Sequence, residues 1–167
     1  LAEDASAAYW NPAGLAHIKR PEVVTLYAVL FEKTGYGFLS AAYPTARWGT
    51  FAFGIANLTS TDFDKRDANA FDVGSFSNSE SAALISYGIN LPHQLSLGST
   101  LKVAHHQIDQ EAGTGVGADI GVMAKPWTFL NVGLAVQSLF GPAITLRSDS
   151  DKFPVTTRLG FAFRPWR

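Results

Sequence analysis

Apolar and polar positions alternate with a period of two along most of this chain, most cleanly in its C-terminal half. Val155, Thr157, Leu159, Phe161 and Phe163 fall on one face, and Thr156, Arg158, Gly160, Ala162 and Arg164 on the other. Side chains switch sides at each step along a strand, so this is a strand with one apolar and one small or polar face. Leu130, Val132, Leu134 and Val136 oppose Asn131, Gly133, Ala135 and Gln137 in the same way. Val116, Ile120 and Val122 oppose Gly117, Asp119 and Gly121, and Leu95, Leu97, Leu101 and Val103 oppose Ser96, Gly98, Thr100, Lys102 and His106. The pattern predicts about eight strands. They run over Glu22–Phe31, Gly35–Tyr43, Gly49–Leu58, Ser79–Leu91, Gln94–Gln110, Gly115–Ala124, Thr128–Phe140 and Pro154–Arg164. The first two are apolar on both faces, which leaves Val24, Leu26, Leu30 and Leu39 free to line an interior.

The connections between these strands alternate in length. Pro44–Trp48, Pro92–His93 and Pro126–Trp127 are short, and each carries a proline. Thr59–Asn78 and Gly141–Phe153 are long and polar, and Glu32–Thr34 and Glu111–Thr114 lie on their side. Short turns on one side and long loops on the other characterise a barrel inserted through a membrane from one side. Tyr43, Trp48, Trp127 and Trp166 fall on the short-turn side, where an interfacial aromatic girdle belongs. The expected fold is therefore an all-β, antiparallel transmembrane β-barrel. A soluble β-sandwich or small lipid-binding barrel stays open, because a sandwich would bury the same apolar faces in its core.

Residues 1–20 break the alternation and form a separate N-terminal segment before the strands of 21–167. Asp4–Ala8 is alanine-rich and suits a short helix, and Asn11-Pro12-Ala13-Gly14 has the composition of a turn. Such a segment can plug the lumen of a barrel.

Composition narrows the class. Hydrophobic residues make up 47% of the chain and charged ones only 16%, yet mean hydropathy is just +0.07. No run approaches the ~18 apolar residues of a membrane helix, whereas a barrel strand needs only ~9–11. Net charge is −1 with no basic stripe, so nucleic acid is not an expected partner. Without cysteine there is no disulfide framework, thiolate metal site or thiol nucleophile. The chain starts at Leu1 without a signal peptide, which is expected either of a processed product or of an internal fragment.

Three segments carry a resemblance to a known family. Leu1-Ala-Glu-Asp-Ala-Ser-Ala-Ala-Tyr-Trp-Asn-Pro-Ala-Gly-Leu-Ala16 resembles the N-terminal signature of the FadL-like superfamily of outer-membrane proteins, closest to its PorV/PorQ branch. Gly117-Ala-Asp-Ile-Gly121 with Leu130-Asn-Val-Gly-Leu-Ala-Val-Gln137 is similar to a strand pair of that branch ending in Ala-Val-Gln, with Ser138 standing where the family has Asn. Pro154-Val-Thr-Thr-Arg-Leu-Gly-Phe-Ala-Phe-Arg-Pro165 resembles its Pro-x-x-x-Arg-x-Gly-x-x-x-Arg-Pro strand. The resemblance implies a bacterial outer-membrane barrel of about fourteen strands with the N-terminal segment in its lumen. FadL-like members pass hydrophobic molecules across the outer membrane, and PorV/PorQ members are accessory proteins of type IX secretion. Implied partners are membrane lipids with a hydrophobic small-molecule substrate or secretion-system proteins. The chain begins inside the signature and offers about eight strands, as a fragment of the larger barrel would, although eight strands can close by themselves.

Two groups of residues are candidates for function. Asn11-Pro12-Ala13-Gly14 is either a plug that moves to open a path or a rigid turn that fills the barrel. Lys102, His106, Asp119, Gln137 and Arg158 are polar residues on the expected lumen face. A tight hairpin around Ala112-Gly113 would set His106 opposite Asp119, as cross-strand stabilisation or as part of a ligand site or gate. His105 and His106 point to opposite faces and cannot share a metal, and His17 and His93 have no partnering spacing. Asp62, Asp64, Asp67, Asp72, Asp149 and Asp151 lack calcium-loop spacing and read as solvated loops. Gly113, Gly115, Gly117 and Gly121 lie along a strand and make no phosphate loop. No catalytic constellation appears, so neither an enzyme nor a cofactor is expected.

Overall fold

Alternation of small or polar residues with large apolar ones gives strands that pair edge to edge in chain order. The computed structural model describes residues 2–31, 33–66, 71–109, 111–139, 143–146, 149–152 and 154–164. A short helix α1 (Ala7–Trp10) and a 3₁₀ helix (Pro12–His17) precede β1 (Glu22–Val29), β2 (Thr34–Thr45), β3 (Gly49–Arg66) and β4 (Asp72–Leu91). Then follow β5 (Leu95–Ile108), β6 (Glu111–Trp127), β7 (Leu130–Gln137), the small pair β8 (Ala143–Leu146) and β9 (Asp149–Lys152), and β10 (Thr156–Phe163). Strands β1 to β7 and β10 form one antiparallel sheet of eight strands in sequence order, curled into a half-barrel. The pair β8–β9 is a separate hairpin between β7 and β10.

The curled sheet inverts the usual distribution of a protein in water. On the concave side Ser40 is 0% exposed, Thr100 1% and Asp119 2%. On the convex side Leu159 is 62% and Phe161 64% exposed, and Leu39, Phe53, Ile55, Ile85, Leu101, Val116 and Leu134 are exposed with them. Full burial of such a side chain contributes about 1.5–3 kcal/mol. An uncovered face of this size forgoes an amount comparable with a domain's entire net stability of about 5–15 kcal/mol.

The alternation of the later strands is as the sequence indicates, but three local expectations change. First, Leu39 does not line the interior: it pairs with Ile55 and lies on the convex face, while Val24 packs against the buried cluster inside. Second, Thr59–Asn78 is not a long loop. β3 extends into it as far as Arg66 and β4 begins at Asp72; the pair slips register between Ser60 and Phe63 and stacks Phe63 on Phe76 at 5.3 Å. Its polarity imitates a loop, yet Thr, Ser and Phe sustain a ladder once the partner strand is in place. Third, the β5–β6 hairpin pairs Ile108 with Glu111, and Ala112 and Gly113 lie in the ladder opposite Gln107 and His106 instead of forming the turn. Asp109, next after Ile108, supplies a left-handed backbone, with φ of 53°.

Candidate functional site

The concave face is occupied by residues 2–18, and the sequence of the sheet beneath them explains the fit. Along one register row, Thr50, Gly88, Gly98, Gly121 and Ala135 are neighbours on β3 to β7. The three glycines make a bare track on which Asn11-Pro12-Ala13 lies. A Cβ on Gly98 would overlap Pro12, one on Gly121 would overlap the Asn11 side chain, and one on Gly88 would lie 2.8 Å from Leu15 Cβ. Gly14 is equally constrained, because a Cβ there would overlap the Ala2 carbonyl. Asn11 caps the 3₁₀ helix by accepting from Ala13 N at 3.1 Å, and Pro12 opens the helix where its missing N–H matters least.

So short a segment leaves carbonyls unsatisfied, and polar side chains of the sheet answer them. Ser40 Oγ donates to Ala5 O at 2.8 Å and Thr100 Oγ1 to Ala8 O at 3.0 Å. Gln137 Nε2 donates to Tyr9 O at 2.5 Å and Asn90 Nδ2 to Ala16 O at 2.6 Å. The Asn11 amide reaches back to Leu134 O and Val122 O at 3.4 and 3.5 Å. Ser96 bridges His17 and Asn90 near the short-turn end of the sheet.

Beyond Tyr9, toward the long-hairpin end, lies an open cleft of 330 Å³. Tyr36, Ala56, Leu58, Ala82 and Ala104 supply apolar wall, and Lys102, His106, Gln137 and Arg158 supply polar groups. Four of the five expected lumen-facing polar residues therefore border one space. The fifth, Asp119, lies underneath: it pairs with Lys102 at 2.8 Å and accepts from Ser138 N at 2.7 Å. The expected opposition of His106 and Asp119 is absent. With Ile108 paired to Glu111, His106 faces Gly113 and Asp119 faces Thr100. His106 instead bonds Asn78 at 2.8 Å and lies 3.6 Å from Glu80. Arg158 stacks over the Trp10 ring at 4.7 Å and Tyr9 at 5.7 Å, a cation–π clamp between the last strand and the N-terminal segment.

Tyr43, Trp48 and Trp127 are all exposed at the short-turn end, and Trp166 lies outside the described residues. Phe129 stacks on Trp127 at 5.9 Å and meets Phe163 edge-on at 5.6 Å, extending the aromatic rim beyond the tryptophans. His105 points outward to Thr114, and no cluster that could hold a metal occurs among the described residues. Of the aspartates given to loops, Asp62, Asp64 and Asp72 lie in β3 and β4, Asp149 and Asp151 in β9, and Asp67 outside the described residues.

Sequence reasoning singled out Gln137, which seats the N-terminal segment, but gave Gly88, Gly98, Ser40, Asn90 and Thr100 no such part. The signal was available: mid-strand glycines recur in β4, β5 and β6, where a glycine weakens a strand unless another backbone approaches it. Ser40 and Thr100 carried no such signal, since a hydroxyl on the inner face names no partner. No family model matches the chain, and it matches no curated protein and no solved structure.

Proposed function

We propose that this chain belongs to a bacterial outer-membrane β-barrel, that residues 1–20 plug its lumen, and that the barrel passes hydrophobic small molecules across the outer membrane. The inverted sheet carries the reading: a broad apolar face turned outward, with hydroxyls, glycines and an ion pair turned in. Lipid is the solvent in which that arrangement is stable. A soluble sandwich would set a second layer on the convex side, and none lies there among the described residues. Among the described residues the outer strands β1 and β10 each pair on one side only, and lipid does not tolerate open strand edges. The eight strands are accordingly part of a larger barrel, in keeping with the resemblance to the FadL-like superfamily and its PorV/PorQ branch. The cleft above Tyr9 offers an apolar wall to a ligand, and movement of the Asn11–Gly14 segment off its glycine track would open the lumen beneath it.

A second reading, an accessory scaffold barrel in type IX secretion, is favoured by the number of hydrogen bonds holding residues 5–16. A segment pinned at four carbonyls suits a permanent filling, and the extended β3–β4 hairpin then supplies the surface for partner proteins.

The test is envelope fractionation of the full-length protein with comparison of unheated and boiled samples by gel mobility. Recovery in the outer membrane with a heat-dependent shift is expected, and a hydrophobic compound extracted from the purified protein supports transport. A stable protein partner without such a compound supports the scaffold, and a soluble protein without a shift overturns both.

A further inference from the structure

The end of the sheet that bears the short turns is basic, and its cations stand apart from one another. Lys19 and Arg20 lead into β1, Arg47 occupies the β2–β3 turn, Lys125 lies near the end of β6, and Arg164 follows β10. All five are exposed, and none makes an ion pair among the described residues. The short connections themselves hold no carboxylate. The nearest ones, Glu3 and Glu22, belong to the concave side, where Glu3 accepts from Asn131 at 3.1 Å and Glu22 Oε1 is buried. The far end differs, since Asp62, Asp64, Asp72, Asp109 and Glu111 lie in its hairpins beside Lys65 and Arg66.

These cations surround the mouth of the lumen and not the apolar rim. By strand parity Lys125 continues the inward row of Asp119, Gly121 and Met123, and Arg164 that of Arg158, Gly160 and Ala162. Lys19 and Arg47 line a cleft of 420 Å³ on the concave side, together with His17, Thr50 and Asn90. The convex level at the same end is given to Tyr43, Trp48, Trp127 and Phe129, all exposed. Headgroups outside the barrel therefore meet aromatic rings, whereas the charges open onto water. Their spacing decides the kind of ligand. The eight-stranded sheet spreads them over an arc of about 30 Å. A small anion engages one or two groups on such an arc, and the acidic surface of a polypeptide engages them all.

We infer that the short-turn mouth is a docking surface for an acidic polypeptide segment of a periplasmic protein. The periplasmic placing rests on the outer-membrane reading proposed above, in which short turns face that compartment. Complementary charge speeds the encounter of such a partner and makes it depend on salt. His17 and Lys19 belong to the N-terminal segment itself, so a docked partner touches the end of the plug directly.

The test uses full-length protein in phosphatidylcholine nanodiscs, titrated with poly-L-glutamate and, in parallel, poly-L-lysine. Residues 1–167 contain no cysteine, so a fluorophore at Ala46→Cys reports on the short-turn mouth and one at Ala112→Cys on the far end. Poly-glutamate is expected to bind at the Ala46 probe in low salt and to weaken steeply as ionic strength rises, and poly-lysine is expected not to bind there. Arg47→Glu/Lys125→Glu lowers the affinity about tenfold, and the neutral pair Arg47→Gln/Lys125→Gln lowers it less. Equal binding of the two polymers, an equal response at both probes, or variants without effect overturns the docking surface. Phosphatidylglycerol retention that falls in the same variants, without binding of poly-glutamate, also overturns it and makes the cations a lipid contact. Each variant is checked for the heat-dependent gel shift, which shows that the barrel has formed. A wild-type protein without that shift overturns the outer-membrane reading and the periplasmic partner together, whereas a shift without poly-glutamate binding overturns the docking surface alone.

Discussion

Gly98 lies directly beneath Pro12, so a side chain there would occupy the space of the N-terminal segment. Gly98→Val is expected to lift residues 11–13 off the sheet, with a fall in Tm and loss of the heat-resistant gel form, because β5 cannot retreat without breaking its ladder. A valine at Gly37 serves as the control, since a Cβ there meets nothing within 4 Å. Lys102 and Asp119 offer a second test. Lys102→Met leaves Asp119, 2% exposed, without its cation, and the loss of one partner of a buried pair costs about 3–5 kcal/mol. Adding Asp119→Asn should recover much of that loss in denaturant melts, because the uncompensated charge disappears. Residues of this kind were unequally legible. That Lys102, Asp119, Gln137 and Arg158 lie on the small or polar side of their strands follows from strand period alone, whereas the partner of each depends on where the hairpin turns. Displacement of one turn from Ala112-Gly113 to a place between Ile108 and Glu111 moved Asp119 from His106 to Lys102 and Ser138.

The N-terminal segment and the strands beneath it form one hydrogen-bonded unit despite their distance in sequence. Ser40, Thr100 and Gln137 each donate to a carbonyl of residues 5–9. Removing all three donors with Ser40→Ala, Thr100→Val and Gln137→Leu is expected to loosen the segment by about 1 kcal/mol per bond. Hydrogen exchange should then quicken at residues 7–14 while the β5–β6 ladder stays protected. Uniform quickening across the sheet would mean that the segment is integral to folding, as the static filler requires. The sequence signalled this element in part: the short helix expected over Asp4–Ala8 lies at Ala7–Trp10, and the turn expected at Asn11–Gly14 is a 3₁₀ helix over Pro12–His17. It misrepresented the third connection, because a strand pair with polar residues on both faces resembles a loop until its partner is known. Phe63 and Phe76, stacked across the extension, were an apolar hint of the pairing.

Across the whole molecule the apolar face points away from the packed interior, and that direction can be tested by charge. Leu159→Arg places a guanidinium on the convex face, 62% exposed. In water such a change is nearly neutral, but in a barrel it costs about 2–4 kcal/mol near the bilayer midplane. The variant is therefore expected to reach the outer membrane in reduced amount and to lose heat resistance, whereas an unchanged yield would argue for an aqueous surroundings. Strand order, antiparallel pairing and the grouping of side chains into two faces were determined by the sequence alone, because a period of two and short turns admit few other arrangements. Which face turns inward was decided only by the tertiary structure. The same alternation serves a sandwich with its apolar side buried and a curled sheet with its apolar side exposed. The choice falls where distant backbone meets backbone, with residues 11–13 seated on Gly88, Gly98 and Gly121 and carbonyls 5 to 16 answered by side chains up to 128 positions away. Contacts of that range leave no periodic trace in the chain, and they exist only once the sheet has curled around the segment that fills it.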